Sequence, residues 1–179
     1  MRMKLYALEI ERADGDPVSG YIVAPTEKQA AIMVIDHDLA NEKTHESFTL
    51  ERIDRKVTQD HRKGLEDVLS AGLTGFARYV EPDGWLFHFV VDAPLKLFKV
   101  LTREGLETHV VAANENEAVA IYMGSYTLAD GEHRLFKIVD GVSDLPPERR
   151  AGLDSILEFG PRGVAQFHEE SGWSVRPPG

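Results

Sequence analysis

The sequence predicts an α+β fold: a tandem duplication of one β-β-α-β-α-β unit with mostly antiparallel sheets, the two units packed as a pseudo-symmetric pair. Three observations carry this expectation. A shift of 88 residues aligns Tyr21–Trp85 with His109–Trp173 without a gap, and 16 of those 65 positions are identical. Segments that alternate apolar and polar residues recur at matching places with segments whose apolar residues repeat at helical spacing. The copies differ in length only near ERADGDPVSG, where Asp14, Gly15, Asp16 and Pro17 are turn formers that tolerate insertion. Two copies make a duplicated domain rather than a solenoid.

Each element then has two readings. KLYALEI and KLFKVLT alternate as strands, and GYIVA and THVVA supply a second strand across a gap short enough for a hairpin. Thr26 with Gln29, and Asn114 with Glu117, are helix N-caps whose partner three positions on can return to the first-turn amides. The apolar runs AAIMVI and AVAIYM continue as helices, and Gly124 is expected to stop the second. Ser47–Ile53 and Leu135–Val139 read as a third strand. A second helix opens near Thr58 in one copy and at Pro146-Pro147 in the other, where a first turn accepts proline. Its stripe is Leu65, Val68 and Leu69, matched by Leu153, Ile156 and Leu157. FARYVE and VAQFHE are the last strands, followed in the first copy by a hairpin strand from Trp85. The units are placed at residues 1–92 and 95–175, joined at Asp92-Ala93-Pro94, with 176–179 a frayed tail.

The chain has 30 acidic and 20 basic residues, a formal net charge of -10, and no cysteine. Disulfides, thiolate zinc sites and cysteine nucleophiles are therefore excluded. No lysine- or arginine-rich run offers a phosphate footprint, so direct nucleic-acid binding is disfavoured. No apolar run reaches the roughly 18 residues of a membrane span, and MRMKLYALEIERADG turns charged too early for a secretory leader. A cytoplasmic protein is expected.

Several residues invite a chemical reading. Gly72 and Gly75, with Gly160 and Gly163, have the spacing of a backbone clamp. They fall at the negative end of a helix, however, where a left-handed stop is the simpler use. Trp85 and Trp173 each follow a turn glycine and serve either as core plugs or as aromatic anchors for a partner. Glu81 and Glu169 close the same segment and act as acid and base only if both face one cleft. His45 and His133 each follow an acid by three residues, Glu42 and Asp130, a pattern open to metal binding or general-base work. Asp36-His37-Asp38 resembles a ligand cluster but is not repeated. P-loop, dinucleotide, zincin, nucleophile-elbow and EF-hand templates are absent.

A small acidic non-enzymatic protein-binding module follows as the first expectation, with no cofactor and no bound metal. Its expected partner is a basic protein that handles nucleic acid, and the sequence also allows a homodimer. Inhibitors and immunity or anti-defence proteins of phages and mobile elements share this composition. Trp85, Trp173, His45, His133, Glu81, Glu169, Asp36, Asp38, Glu42 and Glu46 are the candidate contact residues. The alternative is a small-molecule sensor with its ligand at the interface of the units.

Overall fold

The structure is a computed structural model that describes residues 2–13, 15–88, 94–125 and 135–178. The chain divides into two compact units, Met1–Asp92 and Ala93–Gly179. Among the described residues they hold two five-stranded sheets with antiparallel pairings and four α-helices, an α+β architecture. Among the described residues no helix is long and apolar enough to cross a membrane.

In the first unit β1 (Lys4–Arg12), β2 (Val18–Ala24), β3 (His45–Arg52), β4 (Gly75–Val80) and β5 (Gly84–His88) pair in the order β3-β1-β2-β4-β5. The interior strand β1 buries Leu5 and Tyr6 in succession, as a strand covered on both faces must. On one face Leu5, Val23, Ala77 and Trp85 pack with Leu65 and Val68 of α2 (Leu65–Ser70). On the other, Tyr6, Leu8, Ile10, Ile22 and Phe76 are buried, and α1 (Glu27–Ala40) sets His37 edge-on to Phe76 at 5.5 Å.

The second unit pairs β6 (Lys96–Thr102), β7 (Glu107–Ala112), β8 (Phe136–Asp140), β9 (Gly163–His168) and β10 (Gly172–Arg176) in the order β10-β9-β7-β6-β8. Phe98, Val100, Val110 and Ala112 pack under Ala118, Ile121 and Tyr122 of α3 (Glu115–Ser125). On α4 (Leu153–Phe159) the buried side chains include Leu153 and Ile156.

Local chemistry accounts for the helix starts. The Gln29 amide donates to Thr26 Oγ1 at 3.2 Å, and the Glu117 amide donates to Asn114 Oδ1 at 3.0 Å. Glu117 also reaches back, accepting from the Ala113 amide at 2.6 Å and from Arg162 at 2.6 Å. Three boundaries differ from expectation. The segments at Thr58 and Pro146 form short 3-10 turns, Gln59–His61 and Pro147–Arg149, and the second helices begin only at Leu65 and Leu153. Gly64 and Gly152 stand between with φ of 76° and 75°, a left-handed step that interrupts helical hydrogen bonding. Gly124 does not end α3, which runs on to Ser125. The expected tail is strand up to Arg176, because that residue pairs with Val164.

Each unit is closed by its tryptophan. Trp85, 5% exposed, sits between Tyr21 at 4.9 Å and Tyr79 at 5.8 Å and donates its indole N–H to the His61 carbonyl at 2.7 Å. Trp173, 8% exposed, sits between His109 at 5.3 Å and Phe167 at 5.5 Å and donates to the Arg149 carbonyl at 2.5 Å. Burial beside this ring lowers the His109 pKa. Both tryptophans are core plugs that also fasten a 3-10 turn.

Trp85→Phe, which keeps a smaller aromatic ring but loses the donor, should destabilise the protein by roughly 1–2 kcal/mol in urea unfolding. Trp85→Ala should cost about 3–5 kcal/mol. A Trp85→Phe variant as stable as the parent chain would show that the indole hydrogen bond is idle. At Gly84, φ is 93° and an added Cβ would lie 2.4 Å from the Lys63 carbonyl oxygen, whereas at Gly72 it would meet nothing within 4 Å. Gly84→Ala should therefore lower the thermal midpoint clearly more than Gly72→Ala, which carries only the strain of a left-handed alanine.

Candidate functional site

The densest polar constellation described in the first unit forms where β1 ends, α1 ends and β3 begins. In regular antiparallel register Glu11 faces Ser47, so Arg12 should face Glu46. The register shifts there, and Arg12 faces His45. Glu46 is the extra residue of this bulge, which turns His45 toward the face that carries α1. Arg12 and His45 meet over Asp38, in the last turn of that helix.

The contact is specific. Arg12 Nη1 and Nη2 donate to Asp38 Oδ2 and Oδ1 at 2.9 and 2.8 Å, and His45 Nδ1 donates to Oδ2 at 2.5 Å. Arg12 also donates to the Thr44 carbonyl at 3.1 Å. The side chains of Asp38 and Arg12 are 5% and 8% exposed, while that of His45 is 28% exposed. Burial works to raise the Asp38 pKa, but the hydrogen bonds from Arg12 and His45 outweigh it, and the pKa is lowered. The carboxylate is thus ionised, with its charge compensated by a two-pronged guanidinium.

An Asp–His pair oriented in this way leaves Nε2 of a neutral His45 as the proton acceptor, the arrangement of a general base. Two features argue for an anchor instead. Asp38 is already bound by Arg12 through both oxygens. Among the described residues His45 makes no hydrogen bond except that to Asp38, so no nucleophile is aligned with it. What the cluster does is tie three chain segments together and fix the end of α1. Arg52 and Asp54 make a smaller version, with bonds of 2.6 and 2.9 Å that hold the Asp54 pKa down despite burial.

The other sequence candidates are placed apart. Glu42 is not the acid that orients His45; it is exposed, with φ of 53°, in the loop after α1. Asp36 is exposed on α1, while His37 is buried against Phe76, so Asp36-His37-Asp38 does not converge as a triplet. Glu46 is exposed at the bulge. Glu81 and Glu169 are exposed in the turns after β4 and β9. Trp85 and Trp173 are buried, which removes them as surface anchors. His133 and Asp130 lie outside the described residues.

Sequence reasoning missed Arg12, and nothing near it in the chain signals its role. It also missed Arg78 on β4, where burial pushes the guanidinium down to about 10. Comparison with protein-family models, with curated proteins and with solved structures finds no match to this chain.

The pKa values of Asp38 and Asp54 lie below the ordinary 3.8, so between their folded and unfolded values the unfolded chain binds more protons. Their contribution to stability is complete above about pH 4 and is lost as pH falls through the folded values. Asp38→Asn should cost about 3 kcal/mol near neutrality, because the buried Arg12 loses the carboxylate it binds through both of its terminal nitrogens. It should also flatten the acid limb of stability against pH. Urea midpoints from pH 7 to pH 3 measure both, and an unchanged acid limb in the variant would remove Asp38 from this account.

Proposed function

We propose that the chain is a small, acidic, non-enzymatic binding module that acts by contact with a basic protein partner. The kind of action envisaged is that of an inhibitor or immunity protein of a phage or mobile element, directed at a protein that handles nucleic acid. One observation carries the reading: within the first unit some acids are held in internal ion pairs and others are left on the surface. The buried acids Asp38 and Asp54 are consumed internally by Arg12 and Arg52. The exposed acids Asp36, Glu42 and Glu46 form no ion pair among the described residues. Unspent surface carboxylates steer a cationic partner and contribute nothing to the fold.

We further infer that the two units arose by duplication. Support comes from sheets of the same strand order and from β4 and β5 (Gly75–Val80, Gly84–His88), which are offset by the same 88 residues from β9 and β10 (Gly163–His168, Gly172–Arg176). The indole bonds of Trp85 to His61 and of Trp173 to Arg149 keep that offset. Duplication gives a binding protein two related units, of which only the first carries His37, Asp38 and the Arg12 cluster in its interior.

Affinity purification from the native host should recover a basic protein whose complex weakens steadily with added salt. Replacing Asp36, Glu42 and Glu46 together by lysine should slow association about tenfold at low salt and much less at high salt. A salt-insensitive complex, or no partner at all, would sink the proposal.

A further inference from the structure

The outer face of α1 reverses the usual partition of residues. Inside lie Ala30 and Val34 together with His37 and Asp38, 2% and 3% exposed. Outside lie Ile32, Ile35 and Leu39, 45%, 44% and 73% exposed. Their spacing puts the three aliphatic side chains on one stripe, directly opposite the buried side. The stripe covers about 10 Å of helix, two turns. A stripe of large aliphatic side chains left in water on a rigid helix is the mark of a contact surface.

The charge around the stripe identifies what covers it. Asp36 flanks it, Glu42 and Glu46 lie beyond its C-terminal end, and the helix dipole adds negative potential there. Lys28, the one lysine or arginine on α1 itself, stands at the opposite end, and Lys43 lies in the loop between Glu42 and Glu46. Self-association is opposed by the net charge of -10 that each chain carries. Nucleic acid and anionic lipid are repelled for the same reason. Building on the reading of the chain as a protein-binding module, we infer that α1 is its docking surface. The occupant is an amphipathic helix of the partner, with aliphatic side chains flanked by lysine or arginine. Two helical stripes of this length interdigitate as ridges into grooves, and the cationic flank meets Asp36, Glu42 and Glu46. The Arg12–Asp38–His45 anchor holds the end of α1 in place for this contact.

The test uses the full chain and a synthetic leucine–lysine amphipathic peptide of about four turns. Controls are its leucine–glutamate counterpart and a scrambled peptide of the same composition. The leucine–lysine peptide should bind at low salt, with amide shifts clustered from Lys28 to Glu46. Ile35→Lys with Leu39→Lys, both at exposed positions, should weaken binding at least about tenfold while the thermal midpoint stays put. Shifts elsewhere, unaffected by these substitutions, would overturn the docking surface and leave the broader reading standing. Equal binding of the scrambled peptide would reduce the contact to charge alone and also overturn it. Self-association through α1, abolished by the same variant, would replace the partner with a second copy. No binding of the leucine–lysine peptide at low salt would remove both the surface and the broader reading.

Discussion

In each unit an indole N–H reaches across from the last hairpin to a backbone carbonyl, and much of the local architecture depends on that bond. Trp85 to His61 and Trp173 to Arg149 pin a 3-10 turn, helped in the first unit by the Tyr79 hydroxyl, which donates to the Asp60 carbonyl, and in the second by Arg149 over the Phe167 ring. With the turn pinned, the following glycine takes a left-handed step and the second helix starts beneath the sheet. In the first unit the packing is close enough to exclude a Cβ at Gly64, which would lie 2.8 Å from the Trp85 carbonyl oxygen. The bond is short and shielded by rings on both sides, so a buried donor is satisfied where water cannot reach it.

The cluster at the end of α1 works by a different force toward a similar end. Arg12, Asp38 and His45 come from three elements, and the bulge at Glu46 is what lets them meet. A buried ion pair is a weak source of net stability, because desolvation offsets much of the attraction. Its value is in orientation: one helix end has one position relative to one strand. That makes the outside of α1, with its aliphatic stripe, a fixed surface. Rigidity lowers the ordering entropy that docking would otherwise have to overcome.

Much of the first-order architecture was legible in the chain. Alternating segments became strands because alternation is set by the pleat, and Thr26 and Asn114 capped helices because a cap needs only neighbours three residues away. The runs AAIMVI and AVAIYM were legible as helices but not as faces. They are apolar nearly all round, so no stripe distinguishes core from surface. The sequence pairing of His45 with Glu42 failed for a related reason: three residues of loop do not fix where a side chain points, and a helix seven residues earlier supplied the acid instead. The tryptophans were legible as either plugs or anchors, and only the carbonyls of His61 and Arg149 decided between the two.

The sequence by itself determined the α+β class, the helix caps at Thr26 and Asn114, and the acidic charge. These depend on contacts between residues near each other in the chain, where spacing alone fixes geometry. Only the tertiary structure decided that Arg12 belongs with Asp38 and His45, that both tryptophans are interior, and that α1 turns aliphatic side chains outward. Those outcomes depend on strand register and on which side of a helix meets a sheet. A one-residue shift between Glu11 and Arg12 reverses which side chains meet, and no local pattern records it.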